Sequence, residues 1–82
     1  MVGAIVHVRY FAGARSAAGL PEEKIVAASL EELVAALASR GPALARVLSV
    51  SSFLVDGTVC RSATAALPDG ATVDVLPPFA GG

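Results

Sequence analysis

The chain contains one cysteine, Cys60, and neither a Cys-x-x-Cys pair nor a histidine cluster accompanies it. An internal disulfide is thereby excluded, a structural zinc site lacks its ligand set, and a reducing compartment is the natural setting. Aromatic residues are almost as scarce, 5% of the composition against 55% hydrophobic residues overall. The core must therefore be built from tightly packed Val, Leu, Ile and Ala. Neither charge sign is in excess: acids and arginines are interspersed and the formal net charge is −1, which removes the electrostatic footprint of a nucleic-acid binder. No apolar run approaches the length of a membrane span. The N-terminal MVGAIVHVRYFAGA lacks a basic start and is broken by His7 and Arg9, so it does not read as a signal peptide, and the cytoplasm is the expected location. Repeats and low-complexity tracts are also missing. What remains is one domain of 82 residues, near the lower limit at which an apolar core holds without staples.

Along the chain, AIVHVRYF at 4–11 alternates as a strand does, with Val6, Val8 and Tyr10 on one face and Ile5, His7, Arg9 and Phe11 on the other. AGARSAAGLP reads as a small-residue loop leading to EEKIVAA at 22–28, a second strand paired back on the first. In SLEELVAALASRGP, Ser29 and Glu32 have the spacing of a capping box. Leu30, Leu33, Val34 and Leu37 form one apolar stripe, and Arg40, Gly41 and Pro42 supply a cation, a C-cap and a breaker. A helix near 29–40 follows, and ALARVLS adds a short turn in which Leu44, Val47 and Leu48 close the core. SFLVDGTVC is a hairpin turning at Asp56-Gly57, since a type I′ turn needs positive φ at both central residues. An irregular link leads to a final strand at 71–76, ended by Pro77 and Pro78. Hairpin, helix, short hairpin and final strand make an α+β chain of β-grasp, ubiquitin-like architecture. Its mixed sheet has one main helix packed on one face, and the first and last strands lie parallel and adjacent at its centre. Phe11 and Leu76 should then emerge side by side.

The chain ends VLPPFAGG. The prolines stiffen the exit, and four further residues reach roughly 13 Å when extended. The expectation is a domain over 1–78 and a flexible reactive tail over 79–82. Glycines without Cβ let a terminal carboxylate pass a narrow channel and be approached from any side. A carboxylate is a poor electrophile because its oxygen does not leave. Joined to AMP it gains a leaving group, and a sulfur nucleophile can then convert Gly82 to a thiocarboxylate.

RYFAGARSAAG at 9–19, the SLEELVAAL helix, FLVDG at 53–57 and VLPPFAGG at 75–82 resemble the MoaD/ThiS family of sulfur carriers, and within it the small subunits of molybdopterin synthase. The resemblance covers nearly the whole chain. It implies that an E1-like enzyme of the MoeB type spends ATP to adenylate Gly82, that a sulfurtransferase delivers sulfur, and that the thiocarboxylate enters a MoaE-type large synthase subunit to help form the molybdenum-holding dithiolene. The carrier itself is then not an enzyme and binds no cofactor or metal. Matched by position, Gly81 and Gly82 form the reactive end. Phe11, Val59 and Leu76, followed by Pro77, Pro78, Phe79 and Ala80, form the partner-binding surface. Arg15 matches a basic position after the first strand, Ser16 stands where a glutamate is expected, and Phe79 stands where a smaller aliphatic residue is usual. A carrier for thiamine, cysteine or another metabolite is the alternative within the class. A ubiquitin-like modifier or docking module is the alternative outside it.

Other candidates read more simply as structure. His7 has no Ser, Cys or Asp partner at a suggestive spacing and suits a half-exposed sheet position. Cys60 reads as a small core hydrophobe. GARSAAG lacks the Gly-Lys-Ser/Thr close of a phosphate loop. The pairs Glu22/Glu23 and Glu31/Glu32 read as solvated faces, with Glu32 given to the helix cap.

Overall fold

A computed structural model of the protein describes residues 4–78. β1 (Ala4–Tyr10) buries Val6, Val8 and Tyr10 and turns Ile5, His7 and Arg9 to the opposite face. The following segment is not the expected loop. It holds a short helix, α1 (Gly13–Ala18), closed by Gly19 at φ 83°, whose N–H donates to the Arg15 carbonyl. A six-residue helix has no stability of its own. It forms because alanine is the strongest helix former and because Ala14 is fully buried while α1 packs on a later helix.

β2 (Glu22–Ala27) pairs antiparallel with β1. α2 (Leu30–Ala38) then starts as the spacing predicts, with the Ser29 hydroxyl accepting from the Glu32 N–H at 3.2 Å. The Glu32 carboxylate reaches one residue further back than a capping box requires, accepting from the Ala28 N–H at 3.0 Å. Leu30, Leu33 and Leu37 are buried. Each is worth about 1.5–3 kcal/mol relative to exposure, against about 1 kcal/mol for the cap, so packing holds the helix and the cap sets where it begins.

The expected stop is corrected. α2 ends at Ala38, and Gly41-Pro42 does not terminate it but opens α3 (Pro42–Leu48). Proline suits a first helical position because the N–H it lacks would have no partner there. Gly41, at φ 154° and ψ 166°, takes a conformation reserved for glycine. Leu44 and Leu48 are buried, so the short turn anticipated there is a full core helix.

β3 (Ser52–Val55) and β4 (Thr58–Val59) form the second hairpin, with φ 50° at Asp56 and 86° at Gly57. Asp56 also clamps the hairpin to the last strand, donating its N–H to the Thr72 carbonyl at 2.8 Å and accepting the Thr72 N–H on Oδ1 at 2.9 Å. β5 (Thr72–Leu76) lies between β1, to which it is parallel, and β3, to which it is antiparallel. The sheet order β2-β1-β5-β3-β4 is that of a β-grasp. Its helices cover the face of Val6, Val8, Tyr10, Val73 and Val75, and among the described residues no helix covers the other, bare face.

Candidate functional site

The bare face is defined by register. Arg9 pairs with Asp74 and Tyr10 with Val75 across the parallel β1–β5 ladder, so Phe11 comes level with Leu76, and its N–H donates to the Val75 carbonyl at 3.3 Å. On the other side of β5, Leu54 is opposite Asp74 and Ser52 opposite Leu76. The two-residue turn places Val59 opposite Leu54. Since facing residues share a side of the sheet, Phe11, Leu76, Leu54 and Val59 fall on one surface around the Arg9–Asp74 pair. Phe11, Leu76 and Leu54 are half-buried and Val59 is 49% exposed.

The ion pair at the centre is bidentate, with Arg9 Nε 2.6 Å from Asp74 Oδ1 and Nη2 2.9 Å from Oδ2. The guanidinium carbon lies 5.7 Å from the centre of the Phe11 ring, within cation–π range. The hydrogen bond to Asp74, then its charge, push the Arg9 guanidinium further toward its protonated form. Asp74 is only 7% exposed, and a carboxylate so buried needs a partner. With each charge answered inside the chain, a partner can cover the patch without leaving an unpaired ion.

Of the sequence-predicted site residues, Phe11, Val59 and Leu76 are thus on the same face. Pro77, half-buried, and Pro78, exposed, follow Leu76 directly. Phe79, Ala80, Gly81 and Gly82 lie outside the described residues. Leu54 and the Arg9–Asp74 pair escaped the sequence reading. Leu54 was within reach of it, because counting back from the Asp56-Gly57 turn puts it opposite Val59. The ion pair joins residues 65 apart and needed the parallel register.

Arg15 is exposed in the last turn of α1. Cys60 is half-buried against the core, its thiol 3.6 Å from the Ser62 carbonyl. His7 is half-exposed on the bare face, hydrogen-bonded to Glu22. The reading of Glu22/Glu23 as solvated holds for Glu22 alone. Glu23 points toward the core side, where it accepts from the Tyr10 hydroxyl at 2.5 Å and from Arg40, because consecutive strand residues face opposite ways. Among the described residues no group of three or more His, Cys, Asp or Glu side chains is placed to hold a metal, and no helix is long and apolar enough to cross a membrane.

The model of the ThiS family matches residues 8–82. A Pyrococcus furiosus structure described as molybdopterin converting factor, subunit 1, superposes with a TM-score of 0.83 at 28% identity, covering 93% of this chain and 99% of its own. Small archaeal modifier protein 1 of Methanosarcina acetivorans gives 0.85 at 26% identity, covering 100% and 99%. A chain from the complex of subunits 1 and 2 of the molybdopterin-converting factor of Helicobacter pylori gives 0.75 at 28%, covering 95% and 99%. A search of curated protein sequences finds no match.

Proposed function

The chain belongs to the ThiS family, and from that premise we propose that it is a sulfur carrier whose Gly82 carboxylate is adenylated and converted to a thiocarboxylate, serving as the donor subunit for molybdopterin dithiolene formation. The observation that carries this reading is the apolar patch at the exit of β5. Phe11, Leu76, Leu54 and Val59 surround a self-neutralised ion pair, and Pro77-Pro78 leads from that patch into Phe79, Ala80, Gly81 and Gly82. A patch of this kind on a small domain marks a partner site, and its aromatic residue is the natural anchor. The partners the reading requires are an E1-like adenylating enzyme, a sulfurtransferase and a large synthase subunit. The Helicobacter pylori likeness, a subunit 1 bound to a subunit 2, supports the last of these.

In the chemistry, the Gly82 carboxylate attacks the α-phosphorus of ATP and pyrophosphate leaves. A sulfur nucleophile then attacks the acyl carbon and AMP departs. Docking through the patch fixes the domain while the tail enters the partner's site, so that a bimolecular reaction proceeds as an intramolecular one. The test is incubation with the cognate activating enzyme, ATP and a sulfur source. The expected result is a mass increase of one sulfur-for-oxygen exchange, located by fragmentation to Gly82. Removing Gly82 should abolish it while leaving the melting temperature unchanged. An unchanged mass with a competent activating enzyme overturns the reading. The full-length likeness to small archaeal modifier protein 1 supports a second use of the same activated carboxyl, with an amine in place of the sulfur nucleophile.

A further inference from the structure

The bare face carries a second cluster, on the β2 side and away from the apolar patch. The chain has five arginines but a single lysine, Lys24, so its side chains offer one amine. Lys24 sits in β2, an edge strand, and is exposed. It lies directly opposite His7 in the β1–β2 ladder, which sets their Cβ atoms about 4.5–5.5 Å apart. Glu22, the neighbouring outer-face position of β2, is hydrogen-bonded to His7 Nε2. His7 and Lys24 line one shallow cleft of about 330 Å³ together with Ile5, Asp69 and Gly70. At Gly70 nothing stands within 4 Å of where a Cβ would be, so that side of the cleft is open to an incoming chain. A carboxylate orienting an imidazole beside an amine is an arrangement that can take the amine's proton as it attacks.

We propose that Lys24 is an acylation site, the acceptor for the activated C-terminus of a second copy of this chain. The proposal rests on the reading that Gly82 is activated. The Lys24 nitrogen, as the free amine, attacks the carbonyl carbon of Gly82 in the acyl-adenylate made from ATP. A C–N bond forms, the C–O bond to AMP breaks, and AMP leaves with the electron pair. The surplus proton passes to the His7 ring nitrogen not held by Glu22 and then to water. The product is an amide, and nothing is oxidised or reduced. Arginines cannot compete, because the guanidinium stays charged.

Geometry assigns the donor to another copy. Lys24 is level with His7 and Thr72, four residues back along β5 from Leu76, about 13 Å at strand rise, and two strands across, about 10 Å at strand spacing. β5 runs away from Lys24, so a chain leaving Leu76 would have to double back across β1 to reach the amine of its own domain, whereas a second copy can bring its end in from the open side of the cleft at Gly70.

The experiment uses the full chain carrying a C-terminal thioester at Gly82, generated by intein cleavage, which supplies an activated carboxyl without the activating enzyme. Mixed with unmodified chain, it should give a species with the mass of two chains less one water, stable to hydroxylamine, its branch at Lys24. K24R should lose this species, and H7Q should form it more slowly by up to about a hundredfold, the lower end of what a positioned base contributes. Attachment at the N-terminal amine, a cyclised single chain, or an unaltered rate in H7Q overturns the proposal. So does an unmodified Lys24 while added hydroxylamine consumes the thioester. That outcome leaves the carrier reading standing, since only adenylation of Gly82 by the cognate enzyme bears on it.

Discussion

Tyr10 is the only tyrosine in the chain. It lies on the core side of β1 at 1% exposure, and its hydroxyl donates to Glu23, which also receives Arg40. β1, β2 and the segment just after α2 are thereby joined through one carboxylate, that of Glu23. Burial raises the Tyr10 pKa above the ordinary 10.0, with the charge of Arg40 opposing it more weakly. Because the folded value exceeds the unfolded one, the stability this residue contributes is intact below pH 10 and is lost as pH climbs from there through the folded value. A tyrosinate absorbance titration, free of overlap from any second tyrosine, should therefore show a midpoint above 10.0, with the melting temperature falling over the same interval. Tyr10→Phe should abolish the absorbance change and flatten that part of the fall. A midpoint at or below the ordinary value would contradict this account of the cluster.

At the scale of elements, three short helices cover one sheet face, and they are held by different means. α2 carries its own start signal. Ser29→Ala removes the acceptor for the Glu32 N–H and should cost about 1 kcal/mol. For a domain of this size that lowers the melting temperature by about 4–8 °C, while Ser29→Gly should cost only a few tenths. α1 has no side-chain cap, and the chain enters it through Ala12 at φ 49° and ψ −125°. A non-glycine residue there is strained by about 1–3 kcal/mol. The strain is sustained because Phe11 is tied to Val75 on one side and Ala14 is buried on the other. The beginning of α1 is thus set by its neighbours, and that of α2 by its own sequence.

For the whole molecule, the decisive property is a sheet with one covered and one bare face. The two faces therefore have separate duties, and substitution should separate them. Phe11→Asp, on the bare face, should cost less than about 1 kcal/mol of stability, as substitutions outside the core usually do. The same variant should weaken binding of the activating enzyme and large subunit in calorimetric titration. Val8→Asp, on the covered face at 0% exposure, buries an unpaired carboxylate and should leave no cooperative thermal transition. If Phe11→Asp unfolds the protein, the assignment of faces is wrong, since a one-residue slip exchanges them throughout a strand.

What was legible in the sequence is what depends on near neighbours. Alternation in β1, the Ser29 and Glu32 spacing, the apolar stripe of α2 and the Asp56-Gly57 turn are each set by backbone geometry over a few residues. Together with the parallel placing of the first and last strands, they led to a β-grasp and to Phe11 and Leu76 on one face, while Val59 was reached only through the resemblance to MoaD/ThiS carriers. The sequence misled where a local signal has two physical meanings. Pro42 can follow one helix or begin the next, and alanines with glycines suit a loop or a short helix. In both cases burial decided, through Leu44 and Leu48 in α3 and Ala14 in α1. Tertiary structure alone produced the Arg9–Asp74 pair, the Tyr10–Glu23–Arg40 cluster and the placing of Lys24 across from His7. Each joins residues far apart along the chain, and no spacing encodes such a contact. It exists only once β1 has been aligned with β2 and β5, a register settled by which faces reach the core.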